Sequence, residues 1–182
     1  MSKTLRTILS AGILSLLLAA CGSQTETPRA PQQFTGQTVG HYCGMYLNEH
    51  DGPKAQIQLK SKQEPVWFST VLQMLSYTKL PEEPKDIAAI YVNDMGKVAD
   101  WSKPNADTAW VDAKQAYYVI RSGFISSMKT QEAIPFAQQA DAEAFAAKNG
   151  GEIVRFDNIP DDYIFQTGAQ SSMPQGHRHG SH

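Results

Sequence analysis

The chain is poor in cysteine, in long apolar runs and in charge of one sign. It has two cysteines in 182 residues. Its longest apolar stretch, from Ile8 to Ala20, is shorter than the roughly 20 residues needed to cross a bilayer comfortably. Sixteen Lys and Arg stand against 18 Asp and Glu, a formal net charge of -2 with pI near 6.2. That balance builds no basic field, so nucleic acid is excluded as an expected partner. No Gly-rich phosphate loop, His-Glu-x-x-His zinc motif or recognisable Ser-His-Asp set is present. Their absence turns the reading away from catalysis and towards binding.

What is present begins at the N-terminus. Lys3 and Arg6 precede the short apolar run, which ends in Leu18-Ala19-Ala20-Cys21. A basic start, a short apolar stretch and small residues at its end form an export signal. The last four residues resemble the bacterial lipobox, in which the cysteine is lipidated and becomes the mature N-terminus. Gly22 after it favours an outer-membrane anchor facing the periplasm. Gly22 to Thr38 is polar, carries Pro28 and Pro31, and buries too little to fold, as a tether should. The expected organisation is a signal over 1–20, a lipidated tether over 21–38, an α+β domain over 39–166 and a disordered His-containing tail over 167–182.

With Cys21 claimed by lipid, Cys43 stands alone in an oxidising compartment and has no partner for an internal disulfide. Such a thiol needs a reason, either burial or chemistry.

The periodicities predict the elements. Ala55 to Lys60 alternates apolar and polar residues as a half-buried strand. Phe68 to Tyr77 reads as a helix with Ser69 or Thr70 as N-cap. Ile87 to Val92 is a second strand. Ala109–Ala113 and Ala116–Arg121 look like a hairpin. Ile134 to Lys148 reads as a helix started by Pro135, striped by Phe136, Ala140 and Phe145, and capped by Gly150-Gly151. Ile153 to Phe156 is a final strand, and Asp157 to Phe165 adds a helical turn. Gln63 to Ser69 and Gln131 to Ala137 match locally, which suggests duplication. The fold class is therefore α+β: two similar ββαβ-like units, about 39–100 and 101–166, each a small antiparallel sheet with one helix.

Cys43-Gly44-Met45 carries the chemistry. Cu(I) is soft and prefers thiolate and thioether ligands. Residues two apart share a side of a strand, so an extended Cys-x-Met presents both sulfurs to one ion; Gly44 permits a turn instead. Met128, in Ser126-Ser127-Met128-Lys129 before the second helix, is the first choice for a third ligand. His41 and His50 follow. Met74 and Met95 are read as packing. His177, His179 and His182 in the tail are a weaker metal-binding signal.

Lipobox, polar tether, Cys43-Gly44-Met45, Trp67-Phe68-Ser69 and Ile134-Pro135-Phe136-Ala137, in that order, resemble the NosL lipoproteins over about His41 to Phe165. The resemblance implies two ββαβ-like units and a Cu(I) chaperone serving maturation of nitrous oxide reductase, at its tetranuclear copper-sulfide centre. It implies an ABC-type complex of the same system as docking partner. It places copper ligands on Cys43, Met45 and Met128, although Ser127 and Lys129 replace the glycine or proline neighbours expected there. A monomer or weak dimer is expected. Two other readings compete: an envelope thiol redox enzyme using Cys43, for which a resolving cysteine is missing, and a metal-free docking lipoprotein with Cys43 in its core.

Overall fold

The computed structural model describes residues 29–102 and 109–166. The signal, Cys21, the start of the tether and the histidine tail lie outside the described residues.

Two antiparallel sheets carry the fold. The first is built from β1 (Ala55–Leu59), β2 (Val66–Phe68), β3 (Ile87–Asn93) and β4 (Trp110–Asp112), in the order β2-β1-β3-β4. The second is built from β5 (Tyr117–Ile120), β6 (Ile134–Phe136) and β7 (Glu152–Arg155), in the order β6-β5-β7. Helix α1 (Val71–Lys79) follows β2, α2 (Gln139–Asn149) follows β6, and the short α3 (Asp161–Ile164) closes the described chain. Each sheet thus has the same local order: a central first strand, the second on one edge, then a helix, then the third strand on the other side. The matched segments Gln63–Ser69 and Gln131–Ala137 occupy equivalent places, as β2 and β6 with the approaches to α1 and α2.

Several elements differ from their sequence expectation, each for a tertiary reason. Ala109–Ala113 and Ala116–Arg121 do not form a hairpin. β4 pairs instead with β3, where Trp110 lies 6.0 Å from Trp67 across the sheet, and β5 becomes the centre of the second sheet. A turn in which the Gln115 and Ala116 amides both donate to the Asp112 carbonyl separates them. β5 earns its central place because Tyr118 and Ile120 face one core while Val119 faces the other.

Pro135 lies in edge strand β6, not at a helix start, and α2 begins at Gln139. An edge position tolerates a residue without an amide hydrogen. Phe136 is therefore a strand residue; α2 packs through Ala142, Phe145 and Ala146, while Ala140 is exposed. Phe68 likewise ends β2, and α1 starts at Val71 with Thr70 capping Gln73. Gly150, at φ +73, ends α2 as expected, its amide donating to Ala146. Met74 and Met95 are buried packing residues.

The polar face of β1 is not exposed. Gln56 and Gln58 are buried because residues 29–34, assigned by composition to the tether, lie across them. Gln56 exchanges two hydrogen bonds with the Gln32 backbone, and Gln58 donates to the Ala30 carbonyl. Arg29 donates to the carbonyls of Leu59, Lys62 and Gln63. Phe34 is buried edge-on against Trp67. Residues 29–34, which composition assigns to the tether, are therefore part of the packed fold.

Candidate metal centre

Cys43 stands in a tight turn between two short extended segments. Val39 and Tyr46 pair antiparallel, the Gly40 amide donates to the Met45 carbonyl at 2.9 Å, and the Gly44 amide donates back to the Gly40 carbonyl at 2.9 Å. Gly44 sits at φ +64, where a side chain is rarely tolerated. The segment is therefore the turn that Gly44 permits, not an extended strand. The His41 amide donates to the Trp67 carbonyl at 2.7 Å, which fastens the turn to the end of β2.

That fastening brings the half-buried thiol to the foot of α1. Cys43 Sγ lies 3.1 Å from the hydroxyl of Ser69, a buried residue just before the helix cap. Space is tight: a Cβ on Gly40 would stand 2.5 Å from Ser69 Oγ and 2.7 Å from Cys43 Sγ. On the other side of the thiol, His50 Nε2 approaches Sγ to 3.9 Å.

His50 is only 3% exposed and is held from behind. Its Nδ1 lies 3.1 Å from Ser127 Oγ, and the same oxygen accepts from the Asp51 amide at 3.3 Å. The buried Lys54 ammonium donates to the carbonyls of His50 and Gly52, each at 2.7 Å, and to Asp51 at 3.3 Å. Burial pushes the His50 imidazole down and the Lys54 charge adds to this, against Glu49 and Asp51, which favours the neutral ring. Burial also pushes the Lys54 ammonium down to about 8.

Ser127 carries the loop of Met128 to the same place. Met128 is 37% exposed and its sulfur accepts from Gln73 Nε2 at 3.5 Å, one turn into α1. Met45 is 46% exposed. Both thioethers are thus surface groups, not core. The foot of α1 is closed to other ligands by protein side chains. Glu132, fully buried, accepts from the Val71, Leu72 and Ala133 amides, and Thr70 accepts from Gln73.

Of the residues singled out from sequence, the structure brings Cys43 and His50 into contact and ties the Met128 loop to them through Ser127. Met45 follows Cys43 across the turn. His41 is directed elsewhere: its Nε2 lies 3.5 Å from Glu83, and its ring packs 4.7 Å from Tyr42 and 5.5 Å from Tyr77. Ser69, Lys54 and Glu132 were not legible as site residues. The partners of Ser69 and Glu132 lie 26 and about 60 residues away along the chain, and Lys54, though only four residues from His50, meets it through a backbone carbonyl inside the fold.

The fold is that of an α+β protein in which a buried imidazole faces an unpaired thiol, a pair of donors of the kind soft metals take. Residues 31–164 match the sequence model of the NosL family. The chain belongs to the NosL family. It is 39% identical over 176 residues to the copper-binding lipoprotein NosL of Achromobacter cycloclastes, covering 96% of this chain and 90% of that protein. It is 34% identical over 173 residues to the copper-binding lipoprotein NosL of Stutzerimonas stutzeri, covering 94% and 87%. The crystal structure of the copper chaperone NosL from Shewanella denitrificans superposes with a TM-score of 0.67 at 30% identity, over 74% of this chain and 98% of that one.

Proposed function

We propose that this protein is a Cu(I) carrier, anchored by lipid on Cys21 in the bacterial cell envelope and facing the periplasm, that delivers copper for maturation of nitrous oxide reductase. The observation that carries the reading is the approach of His50 Nε2 to Cys43 Sγ. With metal–sulfur and metal–imidazole bonds of roughly 2.3 and 2.0 Å, two ligands of one ion lie about 3.5 Å apart at a tetrahedral angle and about 4.3 Å apart when linear. The 3.9 Å separation falls between. Cys43 supplies the thiolate, and one thiolate neutralises a Cu(I) charge, which lowers the cost of a half-buried site. Met45 and Met128 supply soft thioethers from the exposed side, where an incoming protein can compete for the ion. Among the histidines His50 is favoured over His41, because His41 is committed to Glu83 and an aromatic group.

The role is that of a carrier, not a catalyst. Exchange of one ligand at a time passes the ion on without releasing it. The copper names of the relatives support the cargo, and the family resemblance supports the recipient, with an ABC-type complex as docking partner.

Anaerobic titration of the reduced protein with Cu(I) against a chelator tests the cargo. One tightly bound ion is expected, lost in Cys43→Ser. X-ray absorption of the loaded protein is expected to show sulfur ligands with one nitrogen, and His50→Ala is expected to remove the nitrogen. No tight binding by the intact protein would sink the reading. Transfer of copper from loaded protein to apo nitrous oxide reductase, but not from Cys43→Ser, tests the recipient.

A further inference from the structure

Ser127 meets the imidazole of His50 from a loop 77 residues further along the chain. That loop is tied into one small body. Ile125 and Gln131 pair antiparallel, the Ser126 amide donates to the Thr130 carbonyl at 2.9 Å, and the Lys129 amide donates back to the Ser126 carbonyl at 2.9 Å. The hydroxyls of Thr130 and the buried Ser126 lie 3.1 Å apart. Lys129 turns the chain at φ +62. The loop thus holds Ser127 in place, and Met128 beside it reaches α1 through Gln73.

Ser127 Oγ has two lone pairs and one hydrogen. The Asp51 amide, a donor that cannot change its role, takes one lone pair at 3.3 Å. His50 Nδ1 stands at 3.1 Å and faces what remains. A neutral imidazole carries its proton on one nitrogen and a lone pair on the other, and the hydrogen bond made by one nitrogen sets the role of the other. With the proton on Nδ1, that N–H donates to the second lone pair of Oγ. The hydroxyl hydrogen then turns towards solvent, since Ser127 is half-buried. Nε2 presents its lone pair on the side of Cys43 Sγ, 3.9 Å away. An ion on Nε2 leaves Nδ1 as the place for the ring proton. His50 is 3% exposed, so that N–H needs a protein acceptor, and Ser127 Oγ is the oxygen set against it.

We propose that Ser127 is a positioning residue for copper: its hydroxyl oxygen accepts the Nδ1–H of His50 and aims the Nε2 lone pair at the ion held by Cys43. The proposal rests on the reading of Cys43 and His50 as copper ligands. The lone pair is in place before the ion arrives, so loading needs neither a ring flip nor a proton shift on the imidazole. Acceptors behind a ligating histidine set metal affinity by about 10- to 100-fold.

Nitrogen NMR of the histidine rings in the copper-free protein reads the tautomer directly. The His50 proton is expected on Nδ1 in the intact protein and in Ser127→Thr, which keeps the hydroxyl. In Ser127→Ala that preference is expected to be lost. Cu(I) affinity by chelator competition is expected to fall about tenfold in Ser127→Ala and to stay within about threefold in Ser127→Thr. Because the residue acts through the ring, Ser127→Ala is expected to cost less than about threefold further in a His50→Ala background. A proton on Nε2 in the intact protein would overturn the proposal, since Ser127 would then donate to Nδ1 and the ring would serve the thiol as a hydrogen-bond donor. Unchanged affinity in Ser127→Ala would also overturn it. So would an equal loss with and without His50, which would place the effect in the Met128 loop. Cys43→Ser separates the two readings. If the intact protein binds Cu(I) and Cys43→Ser does not, any of these results rejects the role of Ser127 alone, whereas no binding by the intact protein rejects both.

Discussion

Gly40 shows how little room the thiol has. It is not there for an unusual backbone angle but because Ser69 Oγ and Cys43 Sγ occupy the space its side chain would need. Gly40→Ala is expected to push the thiol away from His50 and Ser69 and to weaken Cu(I) binding by about tenfold. That corresponds to the loss of about 1.4 kcal/mol, the scale of one good hydrogen bond or one displaced ligand. The cysteine side chain gives way more easily than the backbone, so thermal stability is expected to fall by only a few degrees. Chelator competition and a melting curve on one sample check both. An unchanged affinity would mean that the 3.1 Å contact with Ser69 does not position the thiol.

At the scale of elements, Glu132 decides how α1 begins. It sits just before β6 yet caps the first amides of a helix some sixty residues earlier, joining the second unit to the helix that carries the site. Burial pushes its carboxyl up to about 8, against three backbone amides and the Lys54 charge, which pull it down. In the unfolded chain the same group ionises near 4.5. Between those values the folded protein holds a proton that the unfolded chain has released. Stability from this group is therefore greatest below about pH 4.5 and is lost as pH rises towards 8, by up to about 1.4 kcal/mol per pH unit. Glu132→Gln is expected to flatten that slope. It is also expected to cost about 1–3 kcal/mol at pH 5, because an amide NH2 then faces a backbone N–H that needs an acceptor. Urea unfolding at pH 5 and pH 8 measures both. An identical pH slope in the variant would show that Glu132 is ionised throughout.

For the whole molecule, residues 29–34 act as a strap that lets β1 be buried on both faces. Phe34→Ala is expected to cost about 3–5 kcal/mol, the range for a buried phenylalanine. It should also open residues 29–38 to proteolysis, since Arg29, Gln32 and Phe34 hold the strap together. Denaturant unfolding and a timed digest check this. A loss below about 1 kcal/mol would mean that the sheet holds its shape without the strap.

Strands β1, β3 and β7, both long helices in their cores, and the local match of Gln63–Ser69 with Gln131–Ala137 could be read along the chain, whereas β2 and β6 read as helix starts and the Cys43-Gly44-Met45 segment is open between a strand and a turn. The legible elements depend on contacts between near neighbours, which periodicity, caps and glycine record directly. Thr70 as the cap of α1 and Gly150 at the end of α2 are of this kind. The sequence also carried the family resemblance, because that rests on the order of short motifs. Only the tertiary structure decided that Trp110 joins the first sheet and that Pro135 lies in an edge strand. It alone decided that polar residues of β1 are buried beneath the strap. The same holds for the site. His50 faces the thiol and His41 does not, because Ser127 holds one ring while Glu83 and Tyr77 take the other. Those choices come from side chains meeting across tens of residues, where burial and hydrogen bonding outweigh local preference.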